Sequence, residues 1–279
     1  MKNIICYIVY GENQEYYNSA KFSILNLLNY TSGNKSIEVV VLSEKIKEFK
    51  GYPVTSIKMT NRQIDDWSLN GKYHFRIKNL GLQYIIKTLN LSINDSILFF
   101  DTDVYFKKNP LILLNLITNS RVVMYKDEGK IYKKERFSYY KDNLKDNSIQ
   151  NKGLDSYILD SNSRMWGSAI IGIPALAYNS LKEADILMLN LIKKLDISRV
   201  HTIEQFSLSE ILKKMFKIIE GKKYIRIYST SKRKNYALKK INTFFKENNS
   251  VDIKQLSKKS LQVNLSRPIH QVIKDKFFS

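Results

Sequence analysis

Short apolar segments with the character of β-strands alternate with amphipathic, helix-like segments along the first 215 residues of the chain. This alternation favours an α/β fold, in which a mixed, mostly parallel sheet is flanked by helices. The predicted strands span residues 3–10, 37–42, 54–59, 97–100, 122–125 and 169–173, and the predicted helices span residues 14–29, 72–89, 181–195 and 203–216. Because ligands bind beyond the carboxyl ends of strands in open sheets of this type, side chains that follow a strand are the first candidates for a functional site.

The stretch 133–165 interrupts this pattern, because it is polar, rich in Tyr, Asn, Ser and Lys, and has little periodicity. Loops of such length within a compact domain are usually functional or disordered. We therefore predict a long loop at these residues.

The net charge of +20 is concentrated towards the C-terminus. Residues 213–276 contain 18 basic and 4 acidic side chains, whereas residues 1–212 contain 28 basic and 22 acidic ones. A basic surface attracts an anionic partner, which can be a membrane leaflet, a phosphate-bearing ligand or nucleic acid.

The apolar residues of the segment KRKNYALKKINTFFKE, residues 232–247, form a stripe flanked by lysines. The pattern suits a basic amphipathic helix on a membrane surface, and it equally suits a helix packed on the domain's own core with a solvated basic face. We predict a catalytic domain at residues 1–215 and a basic, mainly helical extension at residues 216–279, packed on that domain and in position to contact an anionic membrane.

Features that would indicate secretion or membrane insertion are not found in the sequence. The single cysteine, Cys6, lies in a predicted strand, so no disulfide can form within the chain. No apolar run approaches the length needed to span a bilayer, and Gly11 and Glu12 interrupt the first apolar run without a cleavage site after them. We expect a cytoplasmic protein, peripheral on the inner face of the cell membrane if the basic extension contacts it.

The stretch ILFFDTDVYF, residues 97–106, places two aspartates one residue apart within an apolar and aromatic run. Carboxylates are rarely buried unless they are paired or bind a metal. Where the chain leaves a strand, Asp101 and Asp103 can converge on one Mg²⁺ or Mn²⁺, because these hard cations prefer oxygen ligands and leave positions for water and substrate phosphates. A pair of solvated turn aspartates is the alternative, and the apolar framework on both sides favours the metal site.

The segment DSILFFDTDVYFKKNP, residues 95–110, resembles the strand and DxD motif of nucleotide-sugar-dependent glycosyltransferases of GT-A fold, particularly the glycogenin-like and bacterial galactosyltransferase-like families. Three further segments resemble parts of these families in the matching order. They are the opening strand and helix at residues 1–28, the sugar-site segment MWGSAIIGIP at residues 165–174, and the helix opening HTIEQFSLSEIL at residues 201–212. The resemblance implies a GT-A fold, a nucleotide-sugar donor such as a UDP-sugar, and Mn²⁺ or Mg²⁺ as cofactor.

On the donor side, the resemblance places the nucleotide at the junction of the first strand and helix. Tyr10 would stack on the nucleobase, while Gly11 and Asn13 would allow close approach of the backbone, and a simple strand-ending turn is the alternative. Among Lys72, Arg76 and Lys78 of the predicted helix 72–89, Arg76 is our candidate for a phosphate contact because a guanidinium can bind bidentately. A solvated helical charge is the alternative for Arg76.

On the sugar side, Trp166, Gly167 and Ser168 stand where the families often have Asn before the glycine. Trp166 would form an apolar platform for a sugar ring, with core packing as the alternative. Glu204 and Gln205 match the families' Asp-Gln pair, with Glu in place of Asp. Glu204 would act as a base, stabilise an oxocarbenium-like transition state or accept a sugar hydroxyl, and a helix-capping role is the alternative.

The third metal ligand is not specified by the pattern. The families commonly supply a late histidine in a short H-x-x-G or H-Y context, and the late histidine here, His270, lies in SRPIHQVIKD instead. His270 is our candidate ligand, and Ser229 is the residue that would otherwise occupy the position without coordinating. Asp103 is the firmer metal ligand, because Asp101 can instead contact the ribose or bind the metal through water.

Together these observations predict a glycosyltransferase that moves a sugar to a glycan or glycolipid acceptor in bacterial surface polysaccharide or lipopolysaccharide synthesis. Two rival interpretations remain. A haloacid-dehalogenase-like phosphatase also uses D-x-D, but there the motif usually follows the first strand, whereas here it begins at residue 101. A non-enzymatic nucleic-acid-binding protein is supported by charge alone, so we do not expect nucleic acid as a partner.

Overall fold

The structure, a computed structural model, describes residues 1–145, 148–149, 156–228 and 230–268. In chain order, the strands are β1 (Asn3–Val9), β2 (Ile37–Ser43), β3 (Thr55–Lys58), β4 (Ser96–Phe100), β5 (Val104–Phe106), β6 (Arg121–Lys130), β7 (Arg164–Pro174), β8 (Lys217–Glu220) and β9 (Ile225–Ile227). The α-helices are α1 (Gln14–Thr31), α2 (Asn61–Trp67), α3 (Arg76–Thr88), α4 (Ile112–Leu116), α5 (Ser138–Leu144), α6 (Tyr178–Lys194), α7 (Ile203–Met215), α8 (Ser231–Glu247) and α9 (Ile253–Ser260).

Seven of these strands form one sheet in the order β3-β2-β1-β4-β7-β6-β8. The pairings β1–β2, β1–β4, β2–β3 and β6–β8 are parallel, and β7 runs antiparallel to both of its neighbours. Every strand of this sheet except β7 therefore points the same way. The predicted α/β class, with a mixed and mostly parallel sheet flanked by helices, is confirmed.

The central strands are almost entirely apolar because helices cover both faces of the sheet. Alternate side chains of β1 enter two different cores, as the twofold period of a strand requires. Ile4, Cys6 and Ile8 pack in the core that includes residues of α3, α6 and α7. Ile5, Tyr7 and Val9 pack in the core that includes residues of α1.

The C-terminal segment is part of the same fold. The predicted boundary after residue 215 falls just before β8, which pairs with β6 at the edge of the main sheet, and β9 pairs with β5 in a separate two-stranded sheet. The apolar stripe of α8 is buried, and its Phe244 ring lies 5.4 Å from the Phe22 ring of α1, nearly perpendicular to it. Because the core already uses this stripe, α8 in this conformation has no apolar face to insert into a membrane.

The polar stretch 133–165 is more regular than the sequence predicts. It includes α5 and the start of β7, and both β6 and β7 are longer than the predicted strands 122–125 and 169–173. Buried side chains such as Phe137, Tyr140 and Tyr157 hold the stretch on the core, and the polar residues between them hide their periodicity. The prediction of a loop over the whole stretch was therefore wrong at α5 and at the start of β7, whereas residues 156–163 form no helix or strand.

None of the helices in the described ranges combines the length and the apolar character that a bilayer-spanning helix needs.

Candidate functional site

The two aspartates lie where β4 leaves the carboxyl edge of the sheet. The backbone N–H of Asp101 still donates to the carbonyl of Ala169 in β7, at 3.1 Å, and the chain then turns through Thr102 into β5. On the far side of the turn, Val104 pairs with Ile227 of β9. The DxD turn is thus held between two strand pairings, with both carboxylates half-buried.

Lys78 of α3 is the cation that reaches this turn. Its Nζ lies 3.0 Å from Asp101 Oδ1, and it donates to the hydroxyl of Ser168 at 3.0 Å and to the carbonyl of Ser168 at 3.2 Å. Burial lowers the pKa of Lys78, but Asp101 and Glu204 raise it by more, so its net pKa lies above the ordinary value. A buried, charged amine therefore joins the end of β4 to β7.

Glu204 lies in the first turn of α7 and is almost completely buried. The hydroxyl of Ser168 donates to Glu204 Oε2 at 2.9 Å, whereas Glu204 Oε1 is buried without a hydrogen-bond partner among the described residues. Burial raises the pKa of Glu204, and although Lys78 and Ser168 lower it, the net result is a rise from 4.5 to about 7. This carboxyl group can therefore exchange a proton near neutral pH, as an acid or base in a functional site must.

The negative charge of Asp103 is only partly offset by its neighbours. Burial raises the pKa of Asp103 first and the nearby charge of Asp101 second, while Lys78 and Lys234 lower it, and the net shift is upwards. A cation bound beside Asp103 would relieve this unfavourable interaction. The carboxylate oxygens of the two aspartates fit Mg²⁺ or Mn²⁺, which need only one or two protein carboxylates when water and phosphate complete the shell.

The described residues do not identify a third candidate metal ligand. No group of three His, Cys, Asp or Glu side chains converges on one point within the described ranges. The predicted ligand His270 and its alternative Ser229 both lie outside the described residues.

The predicted nucleotide end of the site adjoins this pair. Burial raises the pKa of Tyr10 to about 12, while the nearby charge of Lys78 lowers it and that of Asp101 raises it, so the Tyr10 side chain lies close to both. The Tyr10 hydroxyl donates to the carbonyl of His74 at 3.1 Å. Gly11 has φ +93°, a conformation that favours glycine, and its N–H donates to Glu44.

Asn13 has a structural task in this junction. Its side-chain oxygen accepts from the N–H of Glu15 at 2.9 Å and caps α1. At Gly11 a Cβ would lie no closer than 3.9 Å to a neighbouring side chain, so the backbone there is not closely packed.

Arg76, the predicted phosphate ligand, is directed away from the aspartates. Its guanidinium binds Asp185 of α6 at two points, Nε–Oδ1 at 2.6 Å and Nη2–Oδ2 at 2.8 Å, and also donates to the carbonyl of Asp66 at 3.1 Å. Residues two apart on a helix do not share a face, so Lys78 faces the site while Arg76 joins α3 to α6. The sequence did contain a signal for Lys78, because it precedes the buried Leu82 and Ile85 at helical spacing.

The structure places some of the sugar-side candidates next to Glu204 and others in different surroundings. Ser168 joins Lys78 to Glu204, as described above, and Gln205 lies half-buried beside Glu204 on α7. Gly167 is packed closely, because a Cβ there would lie 3.2 Å from Tyr125 Cδ1. Trp166 is half-buried and lines a cavity of about 170 Å³ with residues of β7, α7 and β8, and it makes no described contact with Asp101 or Lys78.

Two cations of the C-terminal segment face the same region, and sequence reasoning did not name either. Lys234, in the first turns of α8, lowers the pKa of Asp103. Burial raises the pKa of Tyr125, Arg226 of β9 lowers it and Asp103 raises it, so Arg226 and Asp103 act on the same side chain. Lys234 and Arg226 therefore contribute positive charge near the DxD turn, which would favour phosphate groups there.

Comparison with models of known protein families finds none that matches the chain. A search of curated proteins likewise finds no match.

Proposed function

We propose that this protein is a divalent-metal-dependent glycosyltransferase of GT-A fold, which moves a sugar from a nucleotide-diphosphate donor to a glycan or glycolipid acceptor. The observation that carries the proposal is the chain of contacts from Asp101 through Lys78 and Ser168 to Glu204, next to Asp103 at the carboxyl edge of the sheet. It joins a site for a metal and a diphosphate to a buried acid. That combination suits the departure of a nucleotide diphosphate from a sugar.

The donor half of the reaction depends on the aspartates. Asp103 is the direct ligand of Mn²⁺ or Mg²⁺ in this proposal, and Asp101 either shares the ion or contacts the ribose. When bound, the ion supplies the positive charge that neutralises the departing diphosphate. Lys78 forms an ion pair with Asp101, and Arg226 and Lys234 add positive charge near the turn.

The sugar half depends on Glu204. Ser168 holds Oε2 by a hydrogen bond, and in this proposal the other oxygen, Oε1, which is buried without a partner among the described residues, interacts with the substrate. In its ionised form Glu204 would accept the proton of a hydroxyl group or stabilise positive charge that develops on the sugar. The family resemblance favours retention of the anomeric configuration.

We further propose that the acceptor belongs to a surface polysaccharide or lipopolysaccharide and that the enzyme works at an anionic membrane. Exposed lysines cover the outer faces of α8 and α9, namely Lys239, Lys240, Lys246, Lys254, Lys258 and Lys259. Because the apolar stripe of α8 is buried, the contact would be electrostatic and would weaken as the salt concentration rises.

The test is to incubate the protein with Mn²⁺ and a panel of nucleotide sugars and to measure release of the nucleotide diphosphate. We expect release from at least one donor, abolished by a chelator and lowered at least about a hundredfold in Asp103→Asn, a loss comparable to that of one catalytic electrostatic contact. Asp65→Asn, which changes an exposed aspartate on α2, is the matched control and should retain full activity.

Two outcomes of this experiment would overturn the proposal. One is failure to bind or turn over any nucleotide sugar. The other is release of inorganic phosphate from sugar phosphates without turnover of nucleotide sugars, which would favour the phosphatase interpretation instead.

A further inference from the structure

A second concave site lies beside the first at the carboxyl edge of the sheet. We call it the β6–β7 hollow, and its volume of about 410 Å³ is in the range of small-ligand sites. It is lined by Asp127, Glu128, Gly129 and Lys130 of β6, by Lys133 and Lys134 just beyond β6, and by Arg164 of β7.

The positive charges that line the β6–β7 hollow outnumber the negative ones. Arg164 forms a two-pronged ion pair with Asp127, and Arg136 Nη2 lies 3.0 Å from Glu128 Oε2. These two pairs neutralise both acids of the hollow. Three lysines remain, and of these Lys133 and Lys134 are exposed and form no ion pair with any described residue.

The backbone of the hollow places two of these lysines. Gly129 has φ +110°, and a Cβ at this position would lie only 2.9 Å from Cε of Lys134, so glycine allows the stem of Lys134 to cross the strand end. Lys130 Nζ donates to Asn162 Oδ1 at 3.1 Å, which fixes its ammonium group at the rim. A preorganised cation binds an anion with less loss of side-chain entropy.

The β6–β7 hollow lies close to the candidate site along β7. β6 and β4 run in the same direction, so the carboxyl end of β6 opens at the edge where Asp101 lies. From Ser168 to Arg164 is four residues of β7, which corresponds to about 13 Å at about 3.3 Å per residue. A short oligosaccharide with one end beside Glu204 would therefore reach the lysines.

We infer that the β6–β7 hollow binds an acidic group, a carboxylate or a phosphate, on an acceptor glycan whose reacting hydroxyl lies near Glu204. The acceptor role of this glycan rests on the proposed glycosyltransferase function, whereas anion binding in the hollow can be measured without any donor. The inferred ligand class is an acidic oligosaccharide, recognised through charge-assisted hydrogen bonds from Lys133 and Lys134.

The test measures binding calorimetrically at one fixed ionic strength, with neither metal nor nucleotide sugar present. The probes are a trisaccharide of galacturonic acid, its carboxyl-reduced neutral counterpart, and glucose 6-phosphate to distinguish a phosphate from a carboxylate preference. We expect the acidic trisaccharide to bind and its neutral counterpart to bind at least about tenfold more weakly.

The double variant Lys133→Ala/Lys134→Ala should weaken binding of the preferred acidic probe about tenfold or more. The matched control, Lys193→Ala/Lys194→Ala, removes two adjacent exposed lysines from α6 and should bind like the wild type. Both variants change exposed side chains, and circular dichroism checks that they are folded.

Equal binding of the charged and neutral trisaccharides would overturn the inference, and so would equal weakening in both double variants. A third outcome would assign the lysines to a membrane instead. In that case no form of the protein binds the acidic sugars, and Lys133→Ala/Lys134→Ala loses binding to phosphatidylglycerol vesicles. The proposed glycosyltransferase function fails separately, in the nucleotide-release experiment.

Discussion

Two buried glutamates on the same helix, six residues apart, have very different surroundings. Glu210 uses both oxygens, because Oε2 accepts from Tyr157 at 2.8 Å, from Ser163 at 2.7 Å and from Lys213 at 2.7 Å, and Oε1 accepts from a backbone N–H at 3.1 Å. Glu204 is buried to the same degree and has one hydrogen-bonded oxygen and one without a partner among the described residues.

The difference separates a structural carboxylate from a functional one. Fully satisfied buried networks hold a fold together, and the Glu210 network ties the segment 157–164 to α7. A buried acid that lacks a partner is costly to the fold, and functional sites are where such costs are commonly found. The Glu204 and Glu210 environments therefore assign opposite roles to chemically identical side chains, and that assignment can be tested directly.

The largest effect is expected on folding, at Glu210. Glu210→Ala leaves the hydroxyls of Tyr157 and Ser163 and the amine of Lys213 without their common acceptor in or beside the core. We expect the free energy of unfolding to fall by about 3 kcal/mol, as for other broken buried networks. Denaturant titration measures it, and a loss below about 1 kcal/mol would show that the network is not structural.

The next effect is expected on activity, at Glu204. Glu204→Gln keeps the shape of the side chain and removes its charge, so nucleotide release should fall about a hundredfold or more while the free energy of unfolding changes by less than about 1 kcal/mol at pH 5. The opposite pattern, with full activity and a strongly destabilised protein, would make Glu204 a second structural carboxylate.

The pH dependence of stability sharpens the same distinction. Burial raises the pKa of Glu204 from 4.5 to about 7, so the folded state binds more protons than the unfolded state between these values. The contribution of Glu204 to stability is therefore present below about pH 4.5 and decreases as the pH rises towards 7. Glu204→Gln removes this dependence.

We therefore expect the variant to gain stability relative to the wild type across this window, by up to about 1 kcal/mol per pH unit. Denaturant titrations at several pH values, without metal, measure the difference. A difference that stays constant from pH 4.5 to 7 would mean that Glu204 does not titrate there.

A smaller effect is expected at Ser168, which supplies the one hydrogen bond that the Glu204 carboxylate accepts from the described residues. Ser168→Ala should lower activity about tenfold and shift the acidic limb of the pH–rate profile upwards, because this hydrogen bond lowers the pKa of Glu204. A tenfold loss at every pH without a shift of the limb would assign Ser168 to packing alone.

The sequence predicted those parts of the site that depend on local pattern. Apolar runs identify β1 and β4, and the order of the elements places Asp101 at the carboxyl edge of the sheet. The sequence could not show that Arg76 pairs with Asp185, because two cations on one helix differ only in which neighbour they face. Asp185 lies 109 residues away in the chain.

Other features depended on long-range packing in the same way. The stripe of α8 looks identical whether it faces lipid or a protein core, and only its contact with Phe22 of α1 decides the matter. The full length of the β6–β7 pairing is hidden in the sequence because polar residues interrupt the buried ones. Lys78, in contrast, precedes buried apolar residues of α3 at helical spacing, so it could have been found from the sequence.

The central claim is that the DxD turn holds a divalent cation together with a nucleotide diphosphate. Titration of Mn²⁺ in the presence of UDP, with free Mn²⁺ followed by electron paramagnetic resonance, tests it directly. We expect one bound Mn²⁺ per chain in the wild type and in the Asp65→Asn control, and at least about tenfold weaker binding in Asp103→Asn. Equal binding of Mn²⁺ by wild type and Asp103→Asn, or none by either, would contradict the claim.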